Sequence, residues 1–232
     1  MPDDSENSSP PTGKPLARSS VRTHPPVGVH LDWEVSRRAS SAPLRLSDLS
    51  PLTKIEVCAP PGTKPTTARK VALGRAERDG EGNLVVGSRP DRVLVLAPAG
   101  RQRGVLGALE AERGEGLSAI IDVTHGRALF RLTGTHAKDA LEKICAIDLC
   151  DAVTPNGAAF RSSVARVVTD VVRDDVGRGG VGRGDAAHDD TGAQVSYLLS
   201  CERSSGQYLF DAVLDAGSEF AADVDGFPEK EI

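Results

Sequence analysis

Aromatic residues are scarce in this sequence, at 3% of 232 residues, and Trp33 is the single tryptophan. Aliphatic side chains must therefore fill most of the interior, and the chain is long enough to build one sizeable core. No apolar run approaches the roughly 18 residues typical of a membrane-spanning helix. The acidic start, MPDDSENSSPP, lacks the apolar segment of a signal peptide, so we expect a cytoplasmic protein.

The sequence has few cysteines and no excess of basic residues. Four cysteines without a C-x-x-C pair exclude a disulfide framework or zinc ribbon and indicate reduced, buried thiols: Cys58, Cys145, Cys150 and Cys201. The formal net charge of −5 gives no electrostatic support for binding nucleic acid or an anionic membrane. The acid is concentrated in residues 202–232, which hold eight Asp or Glu against two Lys or Arg.

Residues 1–42 are rich in Ser, Pro and Arg and show no hydrophobic period. Such a segment buries too little apolar surface to offset its chain entropy. We therefore expect a disordered tail over 1–42, followed by one domain over 43–232. Trp33 in this tail has two interpretations, an exposed docking anchor or a locally packed or loose aromatic, and the second is favoured.

Residues 117–150 carry the clearest pattern in the domain. The alternation of Ala119, Ile121 and Val123 with polar neighbours predicts a strand with one buried face. A turn at His125-Gly126 and a returning strand over 128–132 follow. Gly134 then precedes a helix that Thr135 is placed to cap, with an apolar stripe from Ala137 to Cys145.

Other segments supply the remaining elements. The alternation over Thr53–Cys58 places Lys54 and Glu56 on the solvent side of a half-buried strand. Further strands are predicted at 84–86, 92–97, 163–172 and 195–201, and further helices at 104–113 and from Ser204 or Ser205 to Phe220, with Tyr208 in its buried stripe. The order after Gly87, β-α-β-β-α-β-β-α, predicts an α+β fold, a split β-α-β sandwich with two or three short helices on an antiparallel or mixed sheet.

A glycine run supplies the most conspicuous motif, G-x-G-x-x-G from Gly177 to Gly182. A dinucleotide site also needs a helix that opens on the last glycine, and RGDAAHDDTGAQ follows without an apolar stripe. A phosphate loop would need lysine where Arg183 stands. We interpret residues 173–192 as a flexible glycine-rich insertion. Within it, His188-Asp189-Asp190 has no second cluster to complete a metal site, and Arg183-Gly184-Asp185 matches an adhesion tripeptide by chance.

Three polar residues of the central stretch are candidates for acid–base chemistry, Asp122, His125 and Asp148. Neither a serine nor a cysteine stands beside them in a recognisable nucleophile context. The structural interpretation is favoured: a strand residue, a turn residue and a loop acceptor of amides. We predict no catalytic, cofactor-binding or metal-ligating residue in this chain.

Several short motifs resemble the gamma subunit of heterotetrameric sarcosine oxidase, a family related to glycine-cleavage aminomethyltransferases and their folate-binding relatives. The matching residues of the central stretch are Asp122-Val123-Thr124, Gly126-Arg127-Ala128, Leu132-Thr133-Gly134 and Ile147-Asp148-Leu149. Matches at 43–57, 89–96 and 203–211 extend the resemblance over about residues 43–222. The chain departs from the family in its N-terminal tail, in its 173–192 insertion and at Phe210, where tryptophan is expected.

The resemblance implies the fold of the aminomethyltransferase folate-binding domain and a non-catalytic structural or assembly subunit. It implies that FAD, FMN, NAD and tetrahydrofolate reside on the alpha, beta and delta partner subunits, with no cofactor bound by this chain. An aspartate that assists folate chemistry in the catalytic relatives falls roughly at Asp170, but the rest of that pocket is missing. The alternatives are a free-standing folate-binding protein of one-carbon metabolism and an enzyme that uses Asp122, Asp148 or Asp170.

Overall fold

The computed structural model describes residues 16–60, 62–63, 71–113, 118–176 and 193–228. The motifs at 177–182, 183–185 and 188–190 lie outside these residues, as do residues 1–15. The strands are β1 (Val27–His30), β2 (Trp33–Ser36), β3 (Leu44–Asp48), β4 (Thr53–Cys58), β5 (Ala76–Arg78), β6 (Leu84–Arg89), β7 (Arg92–Ala97), β8 (Ala119–Asp122), β9 (Arg127–Gly134), β10 (Ala159–Val164), β11 (Val167–Arg173), β12 (Ser196–Glu202) and β13 (Ala222–Asp225). The α-helices are α1 (Gln102–Ala111), α2 (Ala137–Glu142) and α3 (Gly206–Ala216).

Two stacked sheets and a small ribbon make up the described part of the chain. The six-stranded sheet has the order β10-β11-β12-β9-β3-β13, and the five-stranded sheet has the order β5-β6-β7-β4-β8. Strands β1 and β2 form the ribbon. Every pairing is antiparallel except that of β13 with β3. The α+β prediction is confirmed.

Strand β9 shows how the sequence sets the layers, because alternate residues of a strand point to opposite faces. Phe130 and Leu132 pack with Leu209 and Val213 of α3 on one face of the six-stranded sheet. Leu129 packs on the other face, with Leu94 and other residues of the five-stranded sheet. A third cluster joins the far face of the five-stranded sheet to α1 through Val105 and Leu109. The layers are therefore helices, sheet, sheet and helix.

The predicted hairpin around His125-Gly126 is wrong. Strand β8 pairs with β4, whereas β9 pairs with β12 and β3, so the chain crosses from one sheet to the other at this turn. The predicted buried face of β8 is also wrong, since Ile121 is 46% exposed while Ser118 and Thr124 are buried. Strand β8 lies at the edge of its sheet, where the opposing sheet does not cover Ile121.

The long strand predicted over 163–172 is instead a hairpin of β10 and β11. Its turn is made by Ala165 and Arg166, which have φ values of 47° and 68°. Two consecutive residues in the left-handed conformation form a tight hairpin turn. Asn or Gly usually occupies these two positions. Ala165 and Arg166 are neither Asn nor Gly, so this signal is absent from the sequence.

The N-cap of α2 is His136 and not the predicted Thr135. The N-cap of α3 is Ser205, one of the two predicted serines, and it follows a 3₁₀ turn over Arg203–Ser205. Neither helix start has a side-chain capping hydrogen bond. Tyr208 is 57% exposed, so it does not belong to the buried stripe of α3. The helix predicted at 104–113 is confirmed as α1.

The prediction of a disordered tail is wrong for residues 16–42, where β1 and β2 form a ribbon that packs on the two-sheet sandwich. Trp33 and Val35 are each 4% exposed and pack in a cluster with Leu49 and Phe227. Trp33 is thus locally packed and not a docking anchor. Its partners come from segments distant in sequence, which is why the local pattern looked featureless.

The four cysteines are free thiols, with Cys145 and Cys201 buried and the other two half-buried. In the described parts of the chain, each helix is too short or too polar to cross a bilayer.

Candidate functional site

The facing surfaces of the two sheets carry an unusual number of polar side chains. Strand β9 contributes Arg127 and Arg131, β11 contributes Asp170, and β4 contributes Lys54 and Glu56, all buried. Each alternates with an apolar residue that packs toward the helices. A buried charge is costly unless it is paired and hydrogen-bonded, so the partners of these residues decide what the layer does.

Asp170 lies at the centre of this layer and is 5% exposed. Its Oδ2 accepts hydrogen bonds from Arg127 Nη2 at 2.6 Å and from Arg161 Nη1 at 2.8 Å. Its Oδ1 accepts a bond from Ser88 Oγ at 2.9 Å. Because Ser88 belongs to the five-stranded sheet, Asp170 fastens the two sheets together.

Arg127 extends the network toward β4. Its Nε and Nη2 donate to Ser200 Oγ and to the Ser200 carbonyl, both at 3.1 Å. Its Nη1 lies 3.4 Å from Glu56 Oε1, and Glu56 Oε2 accepts a bond from Arg92 Nη1 at 3.0 Å. The result is a chain of alternating charges, Arg161–Asp170–Arg127–Glu56–Arg92, which we call the interlayer ladder.

The interlayer ladder is suited to holding the sheets in register. Both oxygens of Asp170 already accept hydrogen bonds, and two of the three bonds come from guanidinium groups. A general base needs a free lone pair directed at a substrate proton. The geometry therefore suits Asp170 to joining the two sheets through hydrogen bonds to Ser88 and Arg127.

Sequence reasoning singled out Asp170 only through the family resemblance, and it missed Arg127, Glu56 and Ser88 as partners. The charges of the ladder come from five strands of two sheets, and the contact between Arg127 and Glu56 forms only when the sheets stack. The spacing of these residues along the chain carries no such signal.

The three acid–base candidates do not form one site. Asp122 is exposed at the end of β8, where its Oδ1 accepts the Thr124 amide at 2.9 Å. Asp148 lies in the loop after α2, in a different layer. The hydrogen bond that the Cys150 amide donates to its carboxyl lowers the pKa of that carboxyl.

His125 stacks on Trp33 with ring centroids 4.6 Å apart and planes 5° apart. Burial lowers the pKa of His125, and Asp122 opposes that shift.

Lys54 is the most unusual group that the sequence reasoning missed. Its alternation predicted a solvent-facing side chain, but it is 0% exposed. Its Nζ donates to the carbonyls of Ser50 at 2.6 Å and Leu52 at 2.8 Å. Burial lowers the pKa of this amine to about 7, although Asp48 and Asp122 favour the charged form. The enclosed position prevents contact with any external substrate.

Asp48 is a half-buried residue near Lys54, and burial of its carboxyl raises the pKa of that group. Its Oδ1 accepts the Ser50 amide at 2.9 Å. It also borders a polar cavity of about 20 Å³. That volume suits a single water and not a metabolite. Among the described residues, no group of three His, Cys, Asp or Glu is arranged to hold a metal ion.

Solved structures show the fold class. The chain is similar to the glycine cleavage system aminomethyltransferase T from Bartonella henselae, with a TM-score of 0.60 and 14% identity, over 86% of this chain and 55% of that chain. It is also similar to a chain of heterotetrameric sarcosine oxidase from Corynebacterium sp. U-96 in complex with pyrrole 2-carboxylate. That match has a TM-score of 0.59 and 20% identity, over 81% of this chain and 90% of that chain. The sandwich is thus of the aminomethyltransferase type.

Two curated proteins are similar to the chain in sequence. The sarcosine oxidase subunit gamma of Corynebacterium sp. strain P-1 is 25% identical over 216 residues, which span 90% of this chain and 96% of the relative. The sarcosine oxidase subunit gamma of Arthrobacter sp. is 29% identical over 142 residues, or 58% of this chain and 68% of the relative. No family model matches the chain. The resemblance drawn from the sequence is confirmed: the chain is similar to sarcosine oxidase gamma subunits.

Proposed function

We propose that this chain is a structural subunit of a heteromeric complex that oxidises sarcosine or a related secondary amine. One observation carries the proposal: the likeness to a named gamma subunit spans 90% of this chain and 96% of the relative. The match therefore extends over most of the length of both chains. In such a complex, the chain stabilises the assembly, and chemistry takes place on other subunits.

The interlayer ladder supports a scaffolding role. Asp170, the residue nearest to a catalytic position of the aminomethyltransferases, accepts three hydrogen bonds, from Arg127, Arg161 and Ser88. Each of the two carboxylates of the ladder, Asp170 and Glu56, is paired with two guanidinium groups. We propose that alpha, beta and delta partner subunits hold FAD, FMN, NAD and tetrahydrofolate, and that the one-carbon unit passes to tetrahydrofolate there.

Affinity purification of the tagged chain from its native cells tests the proposal. We expect co-elution of a flavoprotein, detected by its flavin absorbance, together with sarcosine-dependent electron transfer in the eluate. Asp122→Asn and Asp148→Asn variants should assemble as the wild type does, whereas Asp170→Asn should lower the assembled fraction because it breaks a buried ion pair. In all three variants, turnover per assembled flavin should be unchanged. A chain that elutes alone contradicts the assembly role, and loss of turnover in a correctly assembled variant contradicts the non-catalytic role.

The second candidate is a free-standing folate-binding protein of one-carbon metabolism. It is favoured by the fold shared with an aminomethyltransferase, a likeness at 14% identity that concerns architecture alone. This candidate predicts that tetrahydrofolate raises the melting temperature of the isolated chain. An unchanged melting temperature at saturating tetrahydrofolate rejects it.

A further inference from the structure

The outer face of the β1–β2 ribbon exposes apolar side chains along β1, which lie opposite Ser36 and Glu34 of β2. Opposed residues of paired strands share a face, so His30 and Gly28 lie on the inner face with Trp33 and Val35. Val27 and Val29 consequently point outward, and each is 52% exposed. Leu16 and Leu31 extend this surface at 44% and 58% exposure. Four of the ten exposed large hydrophobic side chains in the described residues lie within residues 16–31.

A ribbon that packs on its own domain normally turns polar residues to water on its other face. This ribbon buries Trp33 and Val35 on one face and presents valines on the other. Grouped exposed apolar side chains commonly mark a protein interface. The pattern suits a ribbon that is covered on both faces in an assembly.

Arg37 limits the ways in which a partner can bind. Its Nη2 donates a hydrogen bond to the carbonyl of Val29 at 2.9 Å. The guanidinium therefore covers the outer edge of β1. The guanidinium reaches that edge by crossing Gly28, where a side chain would collide with Arg37. A covered edge disfavours the addition of another strand. Docking through the side chains of the outer face remains available.

The charge of the segment indicates the chemistry of the partner. Residues 16–42 carry four arginines, two carboxylates and no lysine, in a chain whose formal net charge is −5. On the outer face, Arg18 Nε lies 3.5 Å from Glu34 Oε2, and the Arg18 side chain is 73% exposed. Arginine beside apolar anchors is typical of protein interfaces. An apolar surface with an acidic border is complementary to this segment.

We propose that the outer face of the ribbon, formed by Leu16, Val27, Val29 and Leu31, docks onto a partner subunit that presents an apolar surface with an acidic border. This inference rests on the proposed assembly function and names the surface that performs it. The valines supply the buried contact, and the neighbouring arginines orient it.

A pair of matched variants tests the inference by affinity purification. The ribbon variant Val27→Asp/Val29→Asp changes two valines that are each 52% exposed. The control variant Val153→Asp/Val168→Asp changes two valines elsewhere that are 56% and 55% exposed. We expect the control to recover partner subunits as the wild type does, and the ribbon variant to recover at least tenfold less. Raising the salt concentration should weaken wild-type binding, because exposed charges are screened.

The outcomes separate this inference from the proposed function. If the wild type recovers no partner, the assembly function fails. If the wild type and the ribbon variant recover partner equally, the function stands and the docking surface is overturned. A wild-type chain that dimerises through the ribbon, with the ribbon variant monomeric, assigns the face to a second copy and also overturns the inference. Should the aspartates unfold the chain, Val27→Thr/Val29→Thr preserves strand-forming side chains and must still lower recovery.

Discussion

At the scale of single residues, Arg127 holds the interior together because it contacts both buried carboxylates of the interlayer ladder. Replacing it with methionine leaves Asp170 and Glu56 in the same place with one cation fewer. Removing one member of a buried ion pair typically costs about 3–5 kcal/mol. We expect Arg127→Met to lower the free energy of unfolding by about that amount, measured by urea denaturation.

Arg161→Met is the matched control, since it also removes a guanidinium from Asp170. The Arg161 side chain is 29% exposed, whereas that of Arg127 is 4% exposed. After the control substitution, Asp170 retains the bonds from Arg127 and Ser88. The control should therefore cost clearly less, and equal losses for the two variants would refute the central role of Arg127.

Also at the residue scale, the buried amine of Lys54 should make the stability of the protein depend on pH. Its pKa is about 7 in the folded protein, against the ordinary 10.5 expected in the unfolded chain. Between these values, the unfolded chain binds more protons, so the contribution of Lys54 to stability rises as the pH increases from 7 to 10.5. Below pH 7 the folded protein holds a buried charge at a cost of roughly a few kcal/mol.

Lys54→Met removes this titration. We expect the difference in unfolding free energy between wild type and variant to change with pH over 7–10 in favour of the wild type, in thermal or urea denaturation. Comparing the two proteins at each pH cancels the titration of Tyr197 and Cys201, whose pKa values burial raises to about 12 and about 11. A difference that stays constant with pH would show that Lys54 is not desolvated.

At the scale of elements, the stack of His125 on Trp33 joins the β8–β9 connection to the ribbon. Burial lowers the pKa of His125 below its usual 6.5, with Lys54 and Arg203 acting in the same direction and Asp122 against it. A histidine with a lowered pKa stabilises the packed state above its ordinary pKa, and that contribution is lost as the pH falls. We expect the emission of Trp33 to shift to the red reversibly as the pH falls below 6.5.

Trp33 is the single tryptophan, so tryptophan emission reports on the surroundings of this residue alone. His125→Phe keeps a ring on Trp33 without a titrating group and should abolish the shift. His136→Gln alters a comparable stack on Phe220, whose ring centroid is 4.8 Å away, and should leave the shift unchanged. A shift that survives in His125→Phe would assign the pH dependence to another group.

Elements with a strong local period were predictable from the sequence. Helix α1, the apolar faces of α2 and α3, and the strands β4, β7, β9 and β12 follow from alternation or helical spacing. The separation of β8 from β9 was not predictable, because alternation does not say which sheet a strand joins. The Ala165-Arg166 turn was missed because neither residue is glycine or asparagine. Lys54 was misplaced because its strand is covered on both faces by parts of the chain distant in sequence.

At the scale of the whole molecule, the N-terminal segment closes one end of the sandwich. The amides of Gly226 and Phe227 donate to the carbonyls of Arg38 and Ser36, at 2.7 and 2.9 Å. Arg38 also bonds both carboxylate oxygens of Asp223 on β13, the edge strand of the six-stranded sheet. The segment therefore protects a sheet edge that would otherwise be open to pairing with other chains.

Deletion of residues 1–42 should consequently destabilise the protein, although the composition of the segment is that of a dispensable tail. Burial of a large apolar side chain contributes about 1.5–3 kcal/mol, so the loss of Trp33 and Val35 alone removes roughly 3–6 kcal/mol. The deletion also exposes Leu49 and Phe227, which pack against them. We expect a lower melting temperature and concentration-dependent aggregation, measured by calorimetry and light scattering. Deletion of residues 1–15 leaves the ribbon and the bonds of Arg38 in place and should preserve the wild-type melting temperature. If both truncated chains have the melting temperature of the wild type, the ribbon contributes nothing to the stability of the sandwich.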